Sequence, residues 1–99
     1  MAKSKSVIIE EIQRYITNRG GDLREWYVGI AANPRERLFD DHSVNKQNGT
    51  WIFRTAESST VAREIEQYFL ERGARGGSGG GSINSMSVYA YRVTAQTRE

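Results

Sequence analysis

The sequence predicts an α+β domain: a small three-stranded, mainly antiparallel sheet flanked by about three helices. Three observations predict it. Apolar spacing switches repeatedly between helical and strand periods, in the order α-β-α-β-α-β. The middle helical segment is short, and three strands would make a thin parallel sheet, so the alternation reads as antiparallel or mixed. The chain has 99 residues, 37% of them apolar, and its two Trp, five Tyr and three Phe supply enough area for one modest core.

Residues 6–18 read as the first helix. Ser6 can cap it, and Ile8, Ile12 and Tyr15 recur at helical spacing, with Ile9 and Ile16 beside them. Asn18-Arg19-Gly20-Gly21 ends it, the glycines suiting a left-handed C-terminal residue. Residues 25–31 read as a strand. Trp26, Val28 and Ile30 point one way, and Tyr27, Gly29 and Ala31 the other. A glycine inside a strand usually lets something approach closely. Asn33-Pro34-Arg35-Glu36 opens a short helix to about His42, with Asn33 as cap, Pro34 at the first helical position and Glu36 completing a capping-box-like arrangement. Residues 43–49 form a polar loop, and Thr50 to Thr55 the second strand.

Ser58 or Ser59 caps the strongest helix, about 59–73, whose apolar stripe is Val61, Ile65, Tyr68 and Phe69. Gly73 ends it, and the run Gly76 to Ser82 is a flexible linker by composition. Ser87 to Thr94 is the third strand, with Val88, Ala90 and Arg92 opposite Tyr89, Tyr91 and Val93. A single domain thus spans 1–99: helix and turn to residue 24, a core over 25–73, a Gly-rich linker over 74–86, the last strand over 87–94 and a tail over 95–99.

Composition removes several function classes. Without cysteine there is no disulfide framework and no thiolate metal site, and a lone histidine, His42, excludes a multi-histidine zinc site. No segment approaches the ~18 apolar residues of a membrane span. The opening Met-Ala-Lys-Ser-Lys lacks the apolar stretch of a secretory signal, so a cytoplasmic protein is expected. A net charge of +2 with a pI near 9.2 is weakly basic and by itself says little about a nucleic-acid partner.

The segment from Trp26 to Leu38 carries the chemistry. A strand stops near a glycine and leads through a loop into a helix bearing arginines, which suits a phosphate better than a packed core. Arg35 and Arg37 diverge by about 200° on a regular helix, so they cannot both face one ligand. Arg35 is expected in solvent and Arg37 over the sheet. On the long helix Glu66 lies beside the apolar stripe, between Ala62 and Leu70, and a carboxylate so placed needs a cation, a donor or a metal. Bland readings stand beside these: Glu66 paired with an arginine, Arg37 in a surface salt bridge, Tyr27 and Tyr89 in strand packing, and His42 at a helix end whose dipole favours a cation.

Together these positions resemble the GIY-YIG nuclease domain over residues 25–73. Tyr27-Val28-Gly29 looks like its YIG element, and Arg37 falls ten residues after Tyr27, where that family often has its arginine. His42 is similar to the family's following histidine, one residue later than the usual spacing. Ala62 to Glu66 resembles the family's alanine-then-glutamate helix. Ser87-Val88-Tyr89 looks like a degenerate GIY, with serine for the glycine, and Asn84 is the nearest match to a late asparagine. The GIY-like strand follows the rest instead of preceding it. The chain therefore resembles a circular permutation, in which the linker carries the last strand back beside the Tyr27 strand.

The resemblance implies hydrolysis of a phosphodiester with one divalent ion, Mg²⁺ or Mn²⁺, held by Glu66. It implies that Arg37 neutralises the pentavalent phosphorus, that Tyr89 or Tyr27 orients or deprotonates the attacking water, and that His42 belongs to the same site. Gly29 would leave room for the nucleic-acid backbone. Arg24, Arg35, Lys46, Arg54 and Arg63 are candidate backbone contacts, with DNA as the expected partner and a further protein or domain supplying targeting. The alternatives are a nuclease-like fold that binds nucleic acid without cutting, and a small protein-interaction domain.

Overall fold

The protein was described from a computed structural model, which places residues 3–76 and 84–99. Its elements are α1 (Lys5–Thr17), β1 (Trp26–Ala31), α2 (Pro34–Glu36) running into a π-helical turn (Arg37–Asp41), β2 (Trp51–Thr55), α3 (Ser59–Glu71) and β3 (Ser87–Arg92). The strands form one sheet in the order β1-β3-β2, and both pairings are antiparallel. The expected α+β architecture is therefore present.

The last strand occupies the centre of the sheet because it is apolar on both faces. Val88 and Ala90 face the long helices, Tyr89 and Tyr91 face the other way, and every residue from Ser87 to Tyr91 is buried. The edge strand β2 is only half buried, apart from Ile52. On β1 the outer edge is covered instead. Arg75 N–H donates to the Trp26 carbonyl (2.8 Å), and Val28 N–H donates to the Arg75 carbonyl (2.9 Å), so chain leaving α3 lies along it.

Two clusters share the sheet. Ile8, Ile12 and Ile16 of α1 and Ala62, Ile65 and Phe69 of α3 pack on Trp26, Val28, Ile30, Ile52, Val88 and Ala90. Burying each large side chain stabilises the fold by about 1.5–3 kcal/mol. The opposite face carries Tyr27, Ala31, Tyr89 and Tyr91, closed over by Leu38 and Val44. The facing of residues 26–31 and 87–91 follows the alternation in the sequence.

Local punctuation behaves as expected at most ends. Gly20, Gly21 and Gly73 all adopt positive φ, the left-handed conformation that terminates a helix. Asn33 accepts a hydrogen bond from Glu36 N–H (3.2 Å), and Ser58 accepts one from Val61 N–H (3.1 Å). Several boundaries differ by a residue or two. Ser4, not Ser6, stands at the N-cap of α1, without a side-chain bond. Helix α3 stops at Glu71, and β3 stops at Arg92. Of the glycine-rich linker expected over 74–86, residues 77–83 lie outside the described residues, and Arg75 lies along β1. Among the described residues, no helix is long and apolar enough to cross a membrane.

Candidate functional site

The site starts from the π turn. His42 N–H donates to the Arg37 carbonyl (2.9 Å), a bond reaching back five residues where an α-helix reaches four. One extra residue is thereby absorbed between Arg37 and His42. The regular-helix geometry used to separate Arg35 from Arg37 does not extend past Glu36.

His42 is buried between the turn and the tyrosine face, unlike the helix-end cation of the bland reading. Burial pushes its pKa down, and the Arg37 charge adds to this against the opposing Arg98 carbonyl, so the ring is held neutral. Its tautomer follows from its partners. The Arg98 carbonyl, 2.6 Å from Nδ1, can only accept, so Nδ1 carries the proton. Nε2 is then an acceptor, and the Tyr89 hydroxyl, 2.8 Å away, donates to it. The Tyr91 hydroxyl donates to the same Arg98 carbonyl (3.0 Å). Tyr27 stacks over this network, its ring 4.6 Å from His42 and 5.2 Å from Tyr91.

Tyr89 is 1% exposed. Burial pushes its hydroxyl up to about 12, with Tyr27 and Glu66 adding to the rise and Arg37 opposing it. It therefore keeps its proton at neutral pH. The direct contact with attacking water expected of Tyr89 or Tyr27 is closed to Tyr89, and the remaining exposure, 6%, belongs to Tyr27. Gly29 also needs correction. It pairs across strands with Tyr89, and a Cβ there would sit 2.5 Å from the Tyr89 hydroxyl oxygen. Its missing side chain makes room for that ring, not for a nucleic-acid backbone.

Arg37 connects this buried network to solvent. Its side chain is half-exposed, but its Nε is buried without a hydrogen bond among the described residues, 3.5 Å from an Asp41 carboxylate oxygen. Burial opposes its charge, yet Tyr89, Asp41 and Tyr27 outweigh that and hold the guanidinium above its ordinary value. Arg37 also lines a shallow pocket of about 210 Å³ with Asn33, Glu36, Ser85 and the end of β1.

Glu66 sits half-buried on α3, one turn from buried Ala62. Burial raises its pKa, with Arg63 opposing, and its charge is felt at Tyr89. Among the described residues no hydrogen bond or ion pair reaches its carboxylate. The bland expectation of an arginine partner is met only by the longer-range field of Arg63.

The remaining candidates separate. Arg54 turns to the helix face, where it donates to Glu11 (2.7 Å) and the Phe53 carbonyl (2.8 Å), away from Arg37. Arg24 is engaged by Asp22 (3.1 Å). Arg63 is exposed on α3, and Lys46 is exposed in the loop before β2. Arg35 is exposed but lies over the Phe53 ring, at 5.3 Å, on the tyrosine face. Sequence reasoning missed Asp41, Tyr91 and the Arg98 carbonyl. Tyr91 was visible as the same-face neighbour of Tyr89, whereas a backbone carbonyl in a tail has no sequence signature.

No family model, curated protein or solved structure matches this chain.

Proposed function

We propose that this chain is a GIY-YIG-like, metal-dependent endonuclease domain that hydrolyses phosphodiester bonds of nucleic acid, with DNA as its substrate in the cytoplasm. One observation carries the reading. A solvent-reaching arginine borders a buried Tyr–His network, and a half-buried carboxylate, unpaired among the described residues, acts electrostatically on the same tyrosine. Two features support it. The π turn places Arg37 and His42 on one face at a spacing of five, as an α-helix does at four. The last strand lies antiparallel beside the Tyr27 strand, Tyr89 opposite Gly29, as the permuted arrangement requires.

Glu66 is the residue that would hold a divalent ion. One carboxylate suits Mg²⁺ or Mn²⁺, which keep most of their waters, and no cluster of three His, Cys, Asp or Glu exists among the described residues. Such an ion supplies Lewis-acid stabilisation of the phosphate and leaving oxygens. Arg37 donates to the non-bridging phosphate oxygens as negative charge develops. The Arg98 carbonyl fixes His42, His42 fixes the Tyr89 hydroxyl, and that oriented hydroxyl acts electrostatically on the Arg37 guanidinium before substrate arrives. Tyr27 orients the attacking water. Water oxygen bonds to phosphorus, the bond to the leaving oxygen breaks, and the proton that water gives to solvent is matched by one that the leaving oxygen takes from solvent.

A second reading, binding without cleavage, is favoured by the high pKa and burial of Tyr89, which deny it the role of base. Supercoiled-plasmid nicking with Mg²⁺ or Mn²⁺ decides between them. Wild type is expected to nick, Glu66→Gln to be inactive and Arg37→Gln to be slower by roughly 10²–10³. Equal nicking by wild type and Glu66→Gln would reject the site. No nicking but salt-sensitive binding selects the second reading, and neither activity removes nucleic acid from the account.

A further inference from the structure

The sheet face that carries Tyr89 continues onto the edge strand as a row of three rings. Phe53 pairs across strands with Tyr89, and Trp51 with Tyr91. The Trp51 and Phe53 rings are 6.2 Å apart and nearly parallel, at 7°. Phe39 from the π turn meets Trp51 edge-on at 5.0 Å. All three rings are half-buried, so each keeps part of its surface in water. A cation stands over each end: the Arg35 guanidinium 5.3 Å from the Phe53 centroid, and the Lys46 ammonium 5.6 Å from that of Phe39. Trp51 Nε1–H donates to the Lys46 carbonyl (3.1 Å), tying the loop to the row.

These two cations differ from most others on the surface. Among the described residues neither forms an ion pair or a side-chain hydrogen bond. Arg19 and Arg72 also lie over tyrosine rings, but they donate to the Tyr15 and Tyr68 carbonyls (3.2 and 3.0 Å). Half-exposed rings flanked by unpaired cations match the chemistry of an unpaired nucleic-acid strand, whose bases stack and whose phosphates are anionic. A duplex hides its base faces and would leave the rings unused.

We propose that the Phe39–Trp51–Phe53 row, with Arg35 and Lys46, binds a single-stranded segment of nucleic acid next to the Arg37 site. The proposal rests on the nucleic-acid reading above. It is tested with the full chain carrying Glu66→Gln, by fluorescence anisotropy of labelled oligo(dT) and of a duplex of equal length.

Trp51→Leu and Phe53→Leu are each expected to weaken oligo(dT) binding roughly 5- to 100-fold while barely changing duplex binding. Trp51→Phe and Phe53→Tyr, which keep a ring, should restore most of the affinity, separating stacking from misfolding. Arg35→Gln and Lys46→Gln should each reduce the slope of log affinity against log salt by about 0.7. Unchanged oligo(dT) affinity in both leucine variants, with duplex binding intact, overturns the row as a binding site and leaves the nucleic-acid reading standing. Failure of the parent chain to bind either probe overturns both.

Discussion

Replacing Gly29 with alanine tests the centre of the site most directly. The added Cβ would sit 2.5 Å from the Tyr89 hydroxyl oxygen and 2.7 Å from its Cζ, whereas ordinary contact begins near 3.4 Å. Tyr89 must therefore retreat by roughly 1 Å. It has nowhere open to go, because it is 1% exposed and its hydroxyl is bonded to His42 at 2.8 Å. Overpacking of a tight core costs about 1–3 kcal/mol, and losing the buried hydrogen bond costs about 1 more. Together, about 2–4 kcal/mol should lower the unfolding midpoint of a chain this size by roughly 10–25 °C. Thermal unfolding followed by circular dichroism reads this. Combining Gly29→Ala with Tyr89→Phe removes the nearest clashing atom, so the double variant should be more stable than the sum of the two single effects. A Gly29→Ala protein that unfolds at the wild-type temperature would refute the claim that this glycine exists for Tyr89.

Three further outcomes are expected. Burial lowers the folded-state pKa of His42, so the unfolded chain binds its proton first on acidification. Stability should therefore fall as pH drops through about 6.5, and His42→Asn should flatten that slope in urea unfolding at pH 7 and 5. Burial raises the pKa of Glu66, so at neutral pH its charge destabilises the folded state. Glu66→Gln should raise the unfolding midpoint by a few degrees at pH 7, and the gain should vanish well below pH 4.5, where the carboxyl is neutral in both states. A chain ending at Thr94 loses the Arg98 carbonyl and leaves His42 Nδ1–H only the longer contact to the Tyr91 hydroxyl, 3.1 Å away. It should lose about 1–3 kcal/mol of stability, measured by chemical denaturation, and more of its nicking rate than Arg54→Gln, whose side chain serves Glu11 on the other face.

Much of the frame was legible because it depends on local periodicity. Ile8 and Ile12 repeat at helical spacing, and Trp26, Val28 and Ile30 alternate with Tyr27, Gly29 and Ala31. A buried face leaves each of these patterns one arrangement. Caps and stops at Asn33, Ser58 and Gly73 were equally local. The type of pairing was less so: helix–strand alternation admits parallel and antiparallel sheets, and the shortness of the middle helix and the thinness of a three-stranded parallel sheet argued against the former.

The sequence by itself determined one α+β domain, the two faces of β1 and β3, and the nomination of Arg37, His42, Glu66, Tyr27 and Tyr89. Only the tertiary structure decided what those residues do for one another. It turned Gly29 from an opening for ligand into a seat for Tyr89, and it buried His42 as a neutral acceptor. It tied Arg54 to Glu11 of α1 and brought Arg35 over Phe53. Each outcome depends on groups far apart in the chain, such as a carbonyl in the tail beside a ring in a turn. Spacing along a sequence records which face a residue occupies, but not which distant group fills the space in front of it.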